Sequence, residues 1–173
     1  MNKRMVYLLV SILIIIIIVI YLYYYTSANI EYNITQTFLT DLNVDILNEK
    51  NPIIVYDQVR DPYDLLNTLF KYTYWFKSIS SEGPGMVVAN SKYTIIWHSK
   101  INESIMVNLI SPKYIENIKG KNFNELNADT QYVSIKMKHH QLMIVPNKWI
   151  YVTENEHEKI ELDGLITVLL KGI

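Results

Sequence analysis

The stretch that most limits what this chain can be is Met5 to Tyr25. It opens with Met5-Val6-Tyr7, continues as an Ile/Leu/Val run interrupted by Ser11, and closes with Tyr21, Tyr23, Tyr24 and Tyr25. It holds no charge, no glycine and no proline. At 1.5 Å per helical residue, about 20 residues span about 30 Å, the thickness of a bilayer's hydrocarbon core. β-Branched isoleucine is a mediocre helix former in water, but in lipid every backbone amide must be satisfied within the segment. The stretch therefore predicts a transmembrane helix over 5–25.

Lys3 and Arg4 precede the run, and the next charge after it is Glu31. The positive-inside rule then places residues 1–4 in the cytoplasm and everything after the helix on the far side. The tyrosines suit headgroup depth. The rival reading is a cleaved signal peptide, with Thr26-Ser27-Ala28 as the small-residue site. Such peptides have apolar cores of roughly 7–15 residues, shorter than this one. The expectation is an uncleaved, single-pass signal-anchor whose first partner is the lipid bilayer.

The remainder has the size of one domain. Taking Lys3 and Arg4 from the 16 basic residues leaves 14 against 17 acidic ones, with no basic stripe, which argues against a nucleic-acid partner. There are no cysteines, so disulfides and thiolate metal sites are excluded. Asn33-Ile34-Thr35 and Asn102-Glu103-Ser104 are glycosylation sequons, usable only in a glycosylating lumen.

Residues 26–50 are polar and mixed and read as a stem with one short ordered element at its end. Residues 51–173 read as the folded domain. Ile53–Tyr56 is a short buried strand after Asn51-Pro52. Asp61-Pro62-Tyr63-Asp64 starts a helix over about 62–77, with Asp61 as cap and Pro62 in the first turn. Ser80–Gly85 reads as a loop. Short apolar runs follow: Met86–Ala89 and Tyr93–His98, which could pair around Asn90-Ser91-Lys92, then Ser104–Ile110, Tyr132–Lys138, Gln141–Val145, Trp149–Thr153 and Leu165–Lys171. Ser111–Asp129 is irregular or partly helical. Such spacing favours a β-sandwich or barrel.

Val133–Val152, with its Pro146-Asn147-Lys148-Trp149-Ile150-Tyr151-Val152 segment, resembles the late strands of cupin-like, jumonji-related domains, where Pro-x-x-Trp-x-His-x-Val recurs. Ile96-Trp97-His98-Ser99-Lys100, followed by Asn102 and Met106–Lys113, looks like that family's first metal-binding strand and the turn after it. Asn51–Val55 is similar to the family's opening strand. The resemblance covers residues 51–173. It implies a transmembrane helix followed by a mainly-β (α+β) domain, a double-stranded β-helix or cupin-like sandwich with one flanking helix.

The same resemblance implies a degenerate metal site. Active members hold Fe(II) with His-x-Asp/Glu and a distant His. Here His98 matches the first ligand, Lys100 stands where the carboxylate belongs, and Tyr151 stands where the second His belongs. An ammonium offers no lone pair to a metal. The expectation is a protein without metal or cofactor that binds or scaffolds rather than catalyses. Membrane-anchored proteins of this look occur among large DNA viruses, so a host endomembrane or virion membrane, with another membrane or capsid protein as partner, fits that implication. The alternatives are a membrane-tethered Fe(II)/2-oxoglutarate dioxygenase with other ligands, and a glycan- or peptide-binding module.

For the last, Trp97, Trp149 and Tyr151, with Tyr93 and Tyr132, are candidate stacking residues, although aromatics on strands are more often core. His139 and His140 read as an exposed turn. Glu154–Glu158, with His157 inside it, reads as a solvated acidic loop. No Gly-x-Ser-x-Gly elbow accompanies Ser99, Ser104 or Ser111, and no phosphate loop is present.

Overall fold

The computed structural model describes residues 3–57, 59, 61–63, 66, 76–98, 103–164 and 168. Helix α1 runs over Lys3–Thr26, and none of its membrane-length span is buried against the rest of the chain. It is one helix long and apolar enough to cross a membrane.

Among the described residues ten strands follow: β1 (Thr35–Thr37), β2 (Ile53–Val55), β3 (Phe76–Glu82), β4 (Gly85–Val88), β5 (Tyr93–Trp97), β6 (Ile105–Ile110), β7 (Tyr132–Met137), β8 (Leu142–Pro146), β9 (Ile150–Thr153) and β10 (His157–Asp163). They form two sheets, ordered β1-β2-β8-β5-β10-β3 and β4-β9-β6-β7. Strands β3 to β10 pair as nested antiparallel couples, β3 with β10, β4 with β9, β5 with β8 and β6 with β7. That is one long hairpin wound into two facing sheets, the order of a jelly roll. The molecule is a mainly-β sandwich behind an apolar helix, compatible with a cupin-like fold.

Alternation along the strands divides the apolar residues into three layers. Ile96 and Met143 of one sheet meet Val107, Leu109 and Tyr151 of the other, in the space between the sheets. Tyr93, Ile95, Trp97, Ile144, Ile160 and Leu162 point the opposite way. Ile110, Ile150 and Val152 back the smaller sheet and are covered by Ile118, Tyr114 and Phe123 of the 112–125 segment, which is two 3-10 turns and one short helix.

Residues 26–50, expected as a stem, are part of this body. Strand β1 pairs in parallel with β2. A short helix α2 (Val44–Asn48), capped by the Asn43 side chain, puts Leu47 into the outer layer. The Tyr93 hydroxyl donates to the Leu47 carbonyl at 2.7 Å. Tyr32 and Ile34 pack on the layer between the sheets. Sparse apolar residues in a polar segment were enough, because each one meets a ready-made face.

Four further expectations are corrected. The helix beginning near 62 is present at Pro62, Tyr63 and Leu66, with the Tyr63 amide donating to Asp61 at 2.8 Å. It does not reach 77, because Phe76 and Lys77 already belong to β3. The loop expected over 80–85 shrinks to Gly83-Pro84, since Ser80, Ser81 and Glu82 pair with β10. A polar strand is tolerated there because β3 is an edge. Strands β4 and β5 do not form a hairpin; they lie in different sheets. The Asn90–Lys92 corner between them is held by Asn147, whose side-chain amide donates to the Asn90 and Ser91 carbonyls. Finally, 157–163 is a strand paired on both sides rather than a continuation of a solvated loop. The strand expected over 165–171 lies outside the described residues except Val168, which is helical.

Candidate functional site

Residues directly opposite one another on paired strands share a face. Reading one row across the larger sheet gives Ser80, Lys159, Ile96, Met143 and Ile54. The next row gives Ser78, Glu161, Thr94 and Val145. The inward face of this sheet is therefore apolar at β8 and β2 and polar at β10 and β3. Opposite it, the rows Val87-Tyr151-Leu109 and Gly85-Thr153-Val107 supply the smaller sheet's inward face.

The polar end lies at the β3 and β4 edges of the two sheets. Lys159 Nζ lies 2.5 Å from Glu82 Oε2 and 3.8 Å from Glu161 Oε1. The Ser78 hydroxyl reaches Glu161 at 3.2 Å. Deeper in, His157 and Tyr151 are buried, with ring centroids 5.9 Å apart in an edge-on arrangement. A Cβ built on Gly85 would meet nothing within 4 Å, so the row beside Thr153 opens onto free space.

Several polar atoms here are buried and unpaired: the Tyr151 hydroxyl, His157 Nε2, Thr94 Oγ1 and Thr153 Oγ1. Leaving such a group without a partner costs about 1–3 kcal/mol. His157 Nδ1 lies 3.3 Å from the Asn155 carbonyl oxygen, which only accepts. That contact assigns the proton to Nδ1 and leaves Nε2 as an acceptor lone pair. Burial chiefly lowers the His157 pKa, with Lys159 and His98 adding to the effect, while the Asn155 carbonyl and Glu82 oppose it. The imidazole is thus neutral at pH 7. Burial first, then the Glu82 and Glu161 carboxylates, push the Tyr151 phenol well up, so it stays protonated and can donate. One of these groups is a donor and the other an acceptor.

The expected site residues separate. Trp97, in the outer layer, donates from its indole to the Val59 carbonyl at 3.1 Å and stacks on His140 at 6.0 Å. Trp149 is fully buried between the sheets against Tyr32. Neither ring lies at an open mouth; both are core. Tyr93 is core as well, and Tyr132 is exposed on β7 against Phe123. Tyr151 is at the site. His98, buried just past β5, is not separated from the site: it lies on the sheet opposite Tyr151 and close enough to His157 to act on its pKa. Lys100 and Asn102 lie outside the described residues. Asn33 is exposed and donates to Glu31. His139 and His140 are half-buried, because His140 exchanges backbone bonds with His98 and Val59.

An iron triad does not fit this polar end. Tyr151 is flanked on its sheet by Val87 and Leu109, neither a ligand. The Glu82 carboxylate is engaged by an ammonium, which repels a cation. Among the described residues no group of three or more histidines and carboxylates gathers at metal-binding distance.

The residues missed from sequence are Glu82, His157, Lys159 and Glu161. The alternation was present, with Ile160 and Leu162 on one face and 157, 159 and 161 on the other. A strand with that pattern is ordinarily placed polar side out; here the polar side faces the other sheet.

No family model matches the chain, and no curated protein matches it. Among solved structures the chain is similar to dTDP-4-dehydrorhamnose 3,5-epimerase from Sulfolobus tokodaii, at 9% identity over 59% of this chain and 56% of that one, with a TM-score of 0.28. It is similar to the same enzyme from Bacillus anthracis str. Ames with TDP and PPi bound, at 11% identity over 61% and 60%, with a TM-score of 0.28. The chain spans about three fifths of each. The site is therefore read from its own residues.

Proposed function

We propose that this chain is a membrane-tethered, cupin-like binding protein whose polar inter-sheet end takes a small neutral polyhydroxylated molecule. The observation that carries the reading is the pair of unpaired buried atoms, the Tyr151 hydroxyl and His157 Nε2, on two rings in edge-on contact. A sugar hydroxyl donates and accepts at once, so it satisfies both, and the Thr94 and Thr153 hydroxyls offer further partners. Glu82, Lys159 and Glu161 carry one more negative than positive charge, which disfavours an anion such as a dicarboxylate. That weighs against the 2-oxoglutarate alternative.

In this reading α1 holds the barrel at a bilayer, with Lys3 and Arg4 on the cytoplasmic side and the sandwich on the other. The test is calorimetric titration of the detergent-solubilised full chain with neutral hexoses and inositols, and with 2-oxoglutarate and citrate. At least one neutral ligand binds, and Tyr151→Phe weakens it about tenfold, the cost of one lost hydrogen bond to a buried partner. Tighter binding of the dicarboxylates, or no effect of Tyr151→Phe, overturns the reading.

A further inference from the structure

The segment between α1 and β1 is tied to the sandwich along its length. The Ser27 amide still bonds the Tyr23 carbonyl at 2.9 Å, so Ser27 continues the helix. Lys50 Nζ donates to the Ser27 carbonyl at 2.8 Å and bonds the Ser27 hydroxyl at 2.9 Å, capping the helix end from the body. The Asn29 side-chain amide donates to the Asn51 side chain at 2.6 Å. The Ile30 carbonyl accepts from the Ser111 hydroxyl at 2.5 Å, and the Tyr32 hydroxyl donates to the Gln131 carbonyl and accepts from the Ser111 amide. The Thr35 amide bonds the Pro52 carbonyl at 2.9 Å as β1 begins. A flexible linker behaves as a random coil and makes no such series of bonds. This one fixes where α1 leaves the sandwich.

The contacts gather at one end of both sheets. Lys50, Asn51 and Pro52 lead into β2, Gln131 leads into β7, and Ser111 follows β6. Ser27 and Ala28 also line a shallow crevice with Lys92, Tyr93, Pro146 and Asn147, where β5 begins and β8 ends. The candidate site is at the other end. Asp163 closes β10 and accepts from the Lys92 amide at 3.0 Å, whereas His157 opens β10 and pairs with Glu82. Strand β10 has 7 residues. At about 3.3 Å per step its two ends stand about 20 Å apart. None of the span of α1 is buried against the sandwich, so the body does not fold back along the helix. Ile30, at the end where α1 leaves, is exposed.

We propose that residues 27–35 form a rigid strap that seats this end of the sandwich on the bilayer and turns the His157 end to the water, so that the site takes a water-soluble ligand and not a lipid headgroup. The inference rests on the membrane-tethered reading and adds to it the phase from which the ligand comes.

The chain contains no cysteine, so a single introduced one carries a single fluorophore. Asn90→Cys labels the strap end and Glu154→Cys the site end, both at exposed positions. Each labelled full chain is placed in bilayer discs whose lipid headgroups bear a nitroxide, a quencher that acts only at short range. The label at 90 should lose most of its fluorescence and the label at 154 almost none. Inserting Gly-Ser-Gly-Ser between Thr26 and Ser27 leaves every contact of the sandwich in place and frees it from the helix, so the difference between the two labels should shrink. Equal quenching of both labels, stronger quenching at 154, or no quenching of either in a chain that has entered the discs overturns the seating while leaving the tether standing. An insertion that leaves the difference unchanged overturns the strap. A chain that never enters the discs overturns the tether and the seating together.

Discussion

Lowering the pH should unfold the sandwich through His157 in particular. Its ring is 3% exposed, and its folded pKa lies below the ordinary 6.5. A histidine with a depressed folded pKa takes up its proton more readily when unfolded, so stability rises with pH. The contribution is complete above pH 6.5 and is lost as pH falls from there toward the folded value. One unit below 6.5, a single such group costs up to about 1.4 kcal/mol, the value of one pKa unit. With a urea slope of about 1–3 kcal/mol/M, the unfolding midpoint of the chain in detergent should fall by up to about 0.5–1.4 M between pH 7.5 and pH 5.5, depending on the slope. His157→Gln removes the titration, so its midpoint should fall less over the same interval by that amount. Parallel pH dependence of the two proteins would refute the burial, the neutral tautomer and the acceptor role of Nε2 together.

Tyr151→Phe deletes an unpaired buried hydroxyl, so it should leave thermal stability unchanged or raise it by up to about 1 kcal/mol while weakening ligand binding about tenfold; a clear loss of stability contradicts the unpaired assignment. Trp149→Ala removes a fully buried ring between the sheets and should cost about 3–5 kcal/mol in urea unfolding, whereas a binding residue at an open mouth would cost little. A fragment of residues 51–173 lacks β1, α2 and Leu47 and should show no cooperative transition by near-UV circular dichroism, whereas residues 27–173 should; equal folding of the two would return 26–50 to a mere stem.

The apolar helix was legible because its signal is length alone. Strands β6 to β9 were legible because their apolar residues are dense, as in Ile105–Ile110 and Leu142–Val145. The winding was not: neighbours in sequence such as β4 and β5 separate into different sheets, and no local pattern in Asn90-Ser91-Lys92 distinguishes a corner from a hairpin. Strand β1 was hidden because three polar residues, Thr35–Thr37, are strand only by pairing with Ile53–Val55. The candidate site was legible at Tyr151 and missed at His157, since Glu154–Glu158 is acidic enough to look solvated. Glu154 to Glu156 are exposed as their charge suggests, and only the pairing of β10 on both sides turns His157 inward. Trp97 and Trp149 misled for the opposite reason: aromatic rings look alike in sequence whether they line a mouth or fill a core.

The tether under the whole account is measured most directly by washing membranes that contain the full chain with alkaline carbonate, which strips peripheral proteins and leaves spanning helices behind. The chain should stay with the pellet, and protease added from the far side should release a fragment beginning just after α1. Recovery of the intact chain in the wash would contradict it.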